Sequence, residues 1–583
     1  MLSNNSYAGI VENNVDDFKF GGNMQIIGFS PFGYEGSLVT VEVDLRRGIP
    51  AVDLVGLADN AVKEARERMR AAIRNSGFEF PPERVLISLS PADVKKEGAG
   101  FDLAIALAVL DAQHESGASH ASGVAAATSS GGAPVPVPTS GSALPGNNSA
   151  DCQILVMGEL ELSGKIRPVR GVHCAVSSAL ENGIRYCIIP EENAVEAGAF
   201  AEMTVSTVKD LTEARYEYIR IAAESSEKES NEVEMQPPAK SRLFSSAEDI
   251  EFAPITEEED FAFVSGQKGL VRALQVAAAG GHNCMVFGPP GCGKTLALQR
   301  FPSLLPLLSG KDAAEVTRIY SIAGLLPPDV QLVRTPPFRI PHQGASLEGM
   351  VGGGIGCRPG EISLAHNGVL FLDEAAEFRS SVLQSLRVPM ENGTITLSRA
   401  GRHTVFPAQF QLLIATNPCP CGNYGSPDKI CLCSQKSVDQ YWKKFSSPLL
   451  DRVDIRFPVF GNAVSLVKSR DEINSHESVS SAELRKDIAR AVKIQLERQG
   501  KKNSRLLPEE IQYYCKLSAE CKDILAKAVE KNDFSARAVH SCMKLARTIA
   551  DMAGSFDIRE QDLEEAIGLR KTEGSIDICF ASM

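Results

Sequence analysis

The chain has 583 residues, 43% of them hydrophobic, so it is long enough for roughly three or four domains with cores of their own. Its formal charge of −13 argues against a surface that binds nucleic acid all over, although a basic lining inside a pore remains compatible with it. The longest apolar run is far too short to cross a bilayer, no secretion signal is visible, and the 14 cysteines are mostly scattered, so we expect a cytoplasmic protein with reduced thiols and no membrane partner.

The N-terminal part indicates one α/β domain over residues 24–215, after a tail at 1–23 that we expect to be disordered. Alternation of apolar and polar residues predicts strands at 39–46, 51–57, 84–90 and 186–190. Apolar residues at helical spacing predict helices at 60–76, 101–110 and near 173–184. After an interrupting segment at 112–150, the same domain is expected to continue at 153–162.

Two stretches lack the composition of a packed core. The segment 112–150 has no aromatic residue, no lysine and no arginine but many Gly, Ser, Ala and Pro, which predicts a disordered insertion. Residues 216–255 are crowded with Glu and Ser and include two successive prolines, which predicts a linker. Beyond the linker we expect a second folded core over 256–464, whose motifs follow below, and a domain of amphipathic helices over 465–583.

The stretch FGPPGCGKTLALQR, from Phe287 to Arg300, fits the phosphate-loop pattern GxxxxGK[ST]. A buried strand at 284–287 precedes the loop and a helix follows it, so backbone N–H groups can close on the phosphates of ATP. Lys294 is expected to reach the β and γ oxygens, and the Thr295 hydroxyl to ligate Mg²⁺. The predicted nucleotide-binding residues are Gly288, Pro289, Pro290, Gly291, Cys292, Gly293, Lys294 and Thr295.

Two further strands carry polar residues at their ends. The strand 369–372 ends in Asp373 and Glu374, of which the first can hold Mg²⁺ through water and the second can polarise the attacking water. The strand within 410–417 ends in Asn417, whose side chain can hold the water or the γ-phosphate. These residues predict hydrolysis of ATP rather than binding alone.

Four cysteines form the one dense thiol group of the sequence: Cys419, Cys421, Cys431 and Cys433. Four thiolates can give a closed tetrahedral zinc site, and glycines between them suit a tight knuckle. The CxC spacing is less usual than CxxC, and free thiols would also be tolerated after a buried strand. Structural zinc is favoured over free thiols, and both alternatives stay open.

A phosphate loop, an acidic pair and a strand ending in Asn, in that order, resemble the AAA+ ATPases. The resemblance implies that Arg452, in SPLLDRVDI, is an arginine finger supplied to a neighbouring subunit, and that Arg537, in FSARAVHSCM, is the sensor on a helical lid. For each, the alternative is an ordinary surface arginine. A finger supplied in trans would leave the enzyme nearly silent until a ring closes.

The segments GGHNCMVFGPPGCGKT, VGGGIGCRPGEISLAHNGVLFLDE and TITLSRAGRHTVFPAQFQLLIATNPCPCG resemble the magnesium chelatase-like AAA+ ATPases known as YifB or ComM, over about residues 24–570. This resemblance implies a homo-hexameric motor that uses ATP and Mg²⁺ for branch migration of single-stranded or branched DNA in natural transformation, beside other recombination proteins. The alternatives are a chelatase-like motor and a protein-remodelling ATPase that threads polypeptide. A non-hydrolytic scaffold is disfavoured because the acidic pair and the arginines are present.

The segment 394–407 alternates on both sides of a turn and predicts a hairpin with a basic tip. In ring helicases the corresponding hairpin projects into the pore, which implies that Arg399 and Arg402 track DNA phosphates without reading bases. The alternative is a solvated hairpin with ordinary surface arginines.

The N-terminal sequence EVDLRRGIPAVDLVGLADNAVKEARERMRAAIRNSGF, followed by SPADVKKEGAGFDLAIALAVL, is similar to the Lon-protease-like domain of this family. In a working Lon protease a serine nucleophile stands at the place of Gly100, and the catalytic lysine would fall at about His173. Gly100 has no side chain that could attack a peptide. The resemblance therefore implies an α/β multidomain protein whose Lon-like domain is not an active protease.

Overall fold

The computed structural model describes residues 24–92, 95–123, 152–229, 250–264, 267–354, 356–399, 402–424, 429–459 and 479–570. The chain divides into two compact units, Met1–Lys240 with Tyr320–Leu332, and Ser241–Ile319 with Val333–Met583. The predicted tail lies outside the described residues, as do most of the predicted insertion and the part of the predicted linker from 230 to 249. No described helix has the length and apolar character that a membrane span would need.

The first unit is built on a seven-stranded sheet of order β3-β4-β2-β1-β5-β8-β9, and a separate hairpin joins β6 and β7. Its strands are β1 Gln25–Ser30, β2 Ser37–Arg46, β3 Val52–Val55, β4 Arg84–Ser90, β5 Gln153–Val156, β6 Glu159–Leu160, β7 Ile166–Arg167, β8 Tyr186–Pro190 and β9 Thr204–Val208. Its helices are α1 Asn60–Asn75, α2 Asp102–Gly123, α3 Val172–Glu181, α4 Ala194–Ala197 and α5 Leu211–Glu229.

Alternation along the central strand β1 explains why both faces of this sheet are covered. Ile26 packs into the core that contains α1 and α2, whereas the next residue, Ile27, packs into the core that contains α3. The helix predicted at 60–76 is present as α1, and the Asp59 carboxylate caps its start by accepting the amide of Val62 at 2.8 Å.

Two helices of the first unit are longer than the sequence predicted. Helix α2 runs to Gly123, well into the segment expected to be disordered from 112, because an Ala-containing run can extend a helix that is already anchored by its buried first half. Helix α5 continues past 216, where the linker was expected to begin. Glu217 and Glu224 of this helix are only partly buried, whereas Tyr218, Ile221 and Ala222 are buried, as in an amphipathic helix.

The second unit contains a five-stranded sheet of order β11-β14-β17-β10-β18, in which every pairing is parallel. Its strands are β10 Cys284–Phe287, β11 Phe338–Arg339, β14 Val369–Leu372, β17 Gln411–Thr416 and β18 Ile455–Pro458, beside two small hairpins, β12 Gly352–Gly353 with β13 Arg358–Pro359, and β15 Thr394–Arg399 with β16 Arg402–Pro407. Parallel strands bring their carboxyl ends to one edge, so the ends of β10, β14 and β17 lie side by side.

The helices of the second unit cover this sheet and continue into a helical C-terminal region. They are α6 Lys268–Gly280, α7 Lys294–Gln299, α8 Gly310–Ala323, α9 Leu347–Val351, α10 Glu361–Leu364, α11 Ser380–Ser385, α12 Arg387–Asn392, α13 Gln435–Trp442, α14 Ser447–Leu450, α15 Ser481–Gln499, α16 Pro508–Tyr514, α17 Ala519–Asn532, α18 Ala536–Met552 and α19 Glu560–Gly568. One apolar cluster runs from β10 and α6 into α15, α18 and α19. The segment 380–392 forms two short helices, α11 and α12, since Pro389 has no N–H to donate to the carbonyl of Ser385, where α11 ends.

Candidate nucleotide-binding site

The phosphate loop lies between β10 and α7, and its backbone is one that glycine favours. Gly291 and Gly293 both have φ of +81°, in the left-handed region. A Cβ at Gly288 would lie 2.1 Å from the carbonyl oxygen of Val459, so no other residue fits there without displacing backbone. The Cys292 thiol is buried and donates to the carbonyl of Pro289 at 3.0 Å, a hydrogen bond within the loop that stabilises its turn.

Lys294 is buried and its ammonium is already hydrogen-bonded. Nζ donates to the carbonyl oxygens of Gly288 at 2.6 Å and Pro289 at 2.8 Å, and to Oδ1 of Asn417 at 3.3 Å. Burial lowers the pKa of Lys294 below its ordinary value. An anion that reaches this site would compensate that desolvation, and the structure thus brings Asn417, at the end of β17, directly to the phosphate-loop lysine.

The two residues expected to hold Mg²⁺ also meet. Thr295 Oγ1 donates to Asp373 Oδ1 at 3.2 Å, so a hydroxyl and a carboxylate converge where hard oxygen ligands are needed. Glu374 follows with φ 47° and ψ 47°, an uncommon backbone conformation for a residue with a side chain, and its amide donates to Asp373 Oδ1 at 2.9 Å.

Gln343 is a residue of this site that the sequence did not reveal. Its Nε2 donates to Oε2 of Glu374 at 2.7 Å, from the segment that follows β11. The amide holds the carboxylate that was predicted to polarise water, so it restrains the group that is expected to act as a base. A glutamine in a loop has no motif of its own, and this contact spans 31 residues of sequence.

The predicted arginine finger and the predicted lid sensor meet at one carboxylate. Arg452 ion-pairs with Oε2 of Glu391, near the end of α12, and Arg537 Nη2 donates to Oε1 of the same residue at 3.3 Å. The hydrogen bond from Arg452, assisted by Arg537, lowers the pKa of Glu391. Among the described residues, no hydrogen bond or ion pair joins either guanidinium to the phosphate loop. Glu391 is a second residue that sequence patterns missed.

The predicted basic hairpin is present as β15 and β16, in which Arg399 pairs with Arg402 in the register. Ile395 and Phe406 lie on a buried face, while the Arg399 side chain is exposed and that of Arg402 half-buried. Two basic side chains therefore end the paired part of the hairpin.

The four clustered cysteines come together in the second unit. All four sulfurs lie within 4.8 Å of one another, with Sγ–Sγ distances of 3.3 Å for Cys419–Cys421, 3.7 Å for Cys419–Cys431 and 3.6 Å for Cys421–Cys431, and the group is completed by Cys433. A tetrahedral zinc ion with Zn–S of about 2.3 Å separates its sulfurs by about 3.8 Å, so the donors fit that ion.

In the first unit, a Cβ at Gly100 would meet its nearest atom, on Val169, only at 3.8 Å. The site therefore has room for a side chain that the sequence does not supply. His173 is buried at the start of α3, and its amide donates to Oε1 of Glu196 at 2.8 Å. Neither position provides a nucleophile of the kind that peptide hydrolysis requires.

The chain is similar to known proteins over most of its length. The family described as magnesium chelatase, subunit ChlI, matches residues 260–466, a second description, subunit ChlI of Mg-chelatase, matches 41–132 and 142–193, and the ChlI C-terminal family matches 478–570. Competence protein ComM of Haemophilus influenzae is 36% identical over 541 residues, 92% of this chain and 95% of that protein. YifB of Escherichia coli, an uncharacterized protein, is 36% identical over 539 residues, 92% and 95% of the two chains. An uncharacterized protein of Mycobacterium tuberculosis is 35% identical over 545 residues, 93% and 97% of the two chains.

Proposed function

Since the chain belongs to the magnesium chelatase-like family of AAA+ proteins that includes ComM and YifB, we propose that it is an ATP-hydrolysing ring motor acting on DNA. The observation that carries the proposal is that the groups expected to act on ATP fall into two separate sets. Those for phosphate and Mg²⁺ lie at one edge of the sheet, whereas both arginines are held together by Glu391. A complete pocket then requires the arginines of a neighbouring protomer.

The pocket's own residues suit phosphoryl transfer to water. When ATP enters, Lys294 exchanges two loop carbonyls for β and γ oxygens, a stronger, charge-assisted interaction. Thr295 and Asp373 would hold Mg²⁺, which neutralises phosphate charge. Glu374 orients and polarises the water once Gln343 releases it, and Asn417 stays within reach of the γ-phosphate through its contact with Lys294.

The same division favours a closed ring. A head-to-tail contact that presents one edge of a protomer to the pocket of the next generates a ring when the rotation closes, and we propose the hexamer for this chain. Arg452 and Arg537 lie close enough to share one carboxylate, so a neighbour's γ-phosphate could take both from Glu391.

DNA is the proposed substrate because the hairpin ends in arginines while the chain as a whole is acidic. Arg399 and Arg402 can contact phosphates in a pore without general nucleic-acid binding elsewhere. ComM is named as a competence protein, and we propose that this chain likewise drives branch migration of single-stranded or branched DNA, beside recombination proteins, in natural transformation.

The test is the ATPase rate with and without single-stranded and branched DNA at several salt concentrations, beside Lys294→Ala as the inactive control. We expect stimulation by DNA that weakens as salt rises, because phosphate contacts release counterions. Stimulation by a denatured protein, with none by any DNA, would instead favour a protein-remodelling motor. Stimulation by neither, but by a porphyrin-binding partner, would favour a chelatase-like motor.

For the remaining parts we propose a Lon-protease-like fold without peptidase activity over 24–215, an AAA+ core over 256–464 and a helical lid from 465. The lack of a nucleophilic side chain at Gly100 and the burial of His173 support the absence of peptidase activity. A peptidase assay with unfolded casein should show no cleavage. We also propose that the four clustered cysteines hold a structural zinc ion.

A further inference from the structure

We propose that the zinc knuckle formed by Cys419, Cys421, Cys431 and Cys433 is a wall of the nucleotide pocket, so that ATP binding depends on the metal. The proposal rests on the nucleotide site and the zinc ion proposed above. It adds that the metal keeps the phosphate loop and Asn417 in place, rather than stabilising a remote part of the fold.

The thiols are arranged for a metal and not for disulfides. The Sγ–Sγ distances among Cys419, Cys421 and Cys431 are 3.3, 3.6 and 3.7 Å, far beyond the roughly 2.05 Å of a disulfide bond and close to the spacing of sulfurs around one tetrahedral ion. Cys421 is exposed, so an ion can reach the thiols from solvent. Cys419 is buried, so at least one ligand lies within the packed interior. The site would take zinc or a similarly soft divalent cation.

The knuckle has little apolar packing of its own to hold its second half. Ile430 and Leu432, on either side of Cys431, are 83% and 89% exposed. Apolar side chains that stay in water contribute no burial energy, so the position of this segment must come from another source. Bonds from Cys431 and Cys433 to a common ion supply that constraint, as metal binding does in small domains without a sufficient core.

Direct contacts connect the knuckle to the phosphate loop. At Gly422, where φ is +78°, a Cβ would lie 2.8 Å from Cδ of Pro290 and 4.0 Å from Cγ of Asn417, so the backbone of the knuckle rests against both. Only Pro418 separates Asn417 from Cys419 in the chain, and the indole N–H of Trp442 donates to the Pro418 carbonyl at 2.9 Å.

Trp442 extends this connection to the strand that leads into the loop. Its ring meets that of Phe287, the last residue of β10, edge to face with centroids 5.8 Å apart. A displaced knuckle would therefore release the loop from one side and would move the side chain that contacts Lys294. If the binding-competent loop were then populated less than about a tenth of the time, the apparent Kd for ATP would rise at least about tenfold.

The experiment compares wild type, the double variant Cys431→Ser/Cys433→Ser and a control, Cys152→Ser, whose thiol is half-buried in the first unit. Zinc is measured by elemental analysis of chelator-washed protein, and the Kd for ATP with Mg²⁺ by calorimetry. We expect about one zinc per chain in wild type and control, and loss of zinc with an ATP Kd at least about tenfold higher in the double variant. Wild type stripped of zinc should bind ATP as weakly, and zinc added back should restore binding.

Less than half an equivalent of zinc in wild type would overturn the metal site. Zinc that is present, but whose removal leaves the ATP Kd unchanged, would overturn the coupling and leave the motor proposal intact. Wild type that holds zinc and binds no ATP would refute the nucleotide site itself. If the double variant does not fold, the strip-and-restore measurement on wild type decides between these outcomes.

Discussion

Arg452→Ala gives the sharpest test of a pocket shared between protomers. Among the described residues, the Arg452 guanidinium ion-pairs with the half-exposed carboxylate of Glu391 and donates to the carbonyl of Pro448, so loss of these bonds should lower the free energy of unfolding by about 1–3 kcal/mol. An arginine finger is worth about 10³ to 10⁵ in rate, equivalent to about 4–7 kcal/mol of transition-state stabilisation. The variant should therefore remain folded and bind ATP, yet be almost inactive.

Mixing the two inactive variants Arg452→Ala and Lys294→Ala shows whether Arg452 acts on the nucleotide of a neighbouring protomer. Lys294→Ala protomers cannot hydrolyse ATP but still carry Arg452, so they can complete the pockets of Arg452→Ala neighbours. In randomly mixed rings about half of the protomers have an intact lysine and about half of those have a neighbour with an intact arginine, so about a quarter of the wild-type rate should return. The assay is steady-state ATPase after mixing two inactive variants at equal concentration. A mixture as inactive as its components, or an Arg452→Ala variant of near wild-type activity, would refute the shared pocket.

Three other predictions address the base, the hairpin and a buried histidine. Gln343→Ala should raise the basal ATPase rate about fivefold, because one hydrogen bond of about 1 kcal/mol no longer restrains Glu374, and a slower enzyme would contradict this. The double variant Arg399→Gln/Arg402→Gln should weaken DNA binding about equally for all DNA sequences, and the slope of log K against log salt concentration should fall in magnitude by about one to two. Fluorescence anisotropy measures both quantities, and an unchanged slope would show that the hairpin does not contact DNA phosphates. Burial lowers the pKa of His282 below 6.5, so below that pH the unfolded chain binds a proton that the folded chain excludes, and the free energy of unfolding should fall by up to about 1.4 kcal/mol per pH unit. Urea unfolding between pH 7 and 5 measures this, and an equally steep decline in His282→Asn would assign it to other groups.

The parts of the site that the sequence predicted are those made by short segments. Strand, loop and helix follow one another within Cys284–Gln299, and the acidic pair follows β14 directly, so local patterns indicate both the elements and the chemistry. The bounds of β10 and β14 match the predicted strands because each is a short, fully buried apolar run in a parallel sheet.

The contacts that sequence reasoning missed join distant segments. Glu391 meets Arg452 across 61 residues and Arg537 across 146, and no spacing rule relates residues so far apart. Composition was also a poor guide to helix length, since α2 and α5 extend into stretches whose small or charged residues suggested disorder. In both helices a buried first part anchors the remainder, which is a property of tertiary packing rather than of the local sequence.

In the proposed ring, Glu391 would hold both arginines of a protomer while they are not engaged with a neighbour's nucleotide. One carboxylate has a single negative charge and two oxygens, which it divides between two guanidinium groups. A γ-phosphate has more charge and three oxygens, and it would lie beside the buried Lys294, where charge-assisted hydrogen bonds are stronger. In the proposed ring, transfer of the arginines from Glu391 to a neighbour's phosphate would thus be favourable when the neighbour holds ATP and would lose its advantage once that phosphate has left. Because Glu391 lies near the end of α12, directly before the β15–β16 hairpin, the proposed exchange would act next to the element whose arginines are proposed to contact DNA.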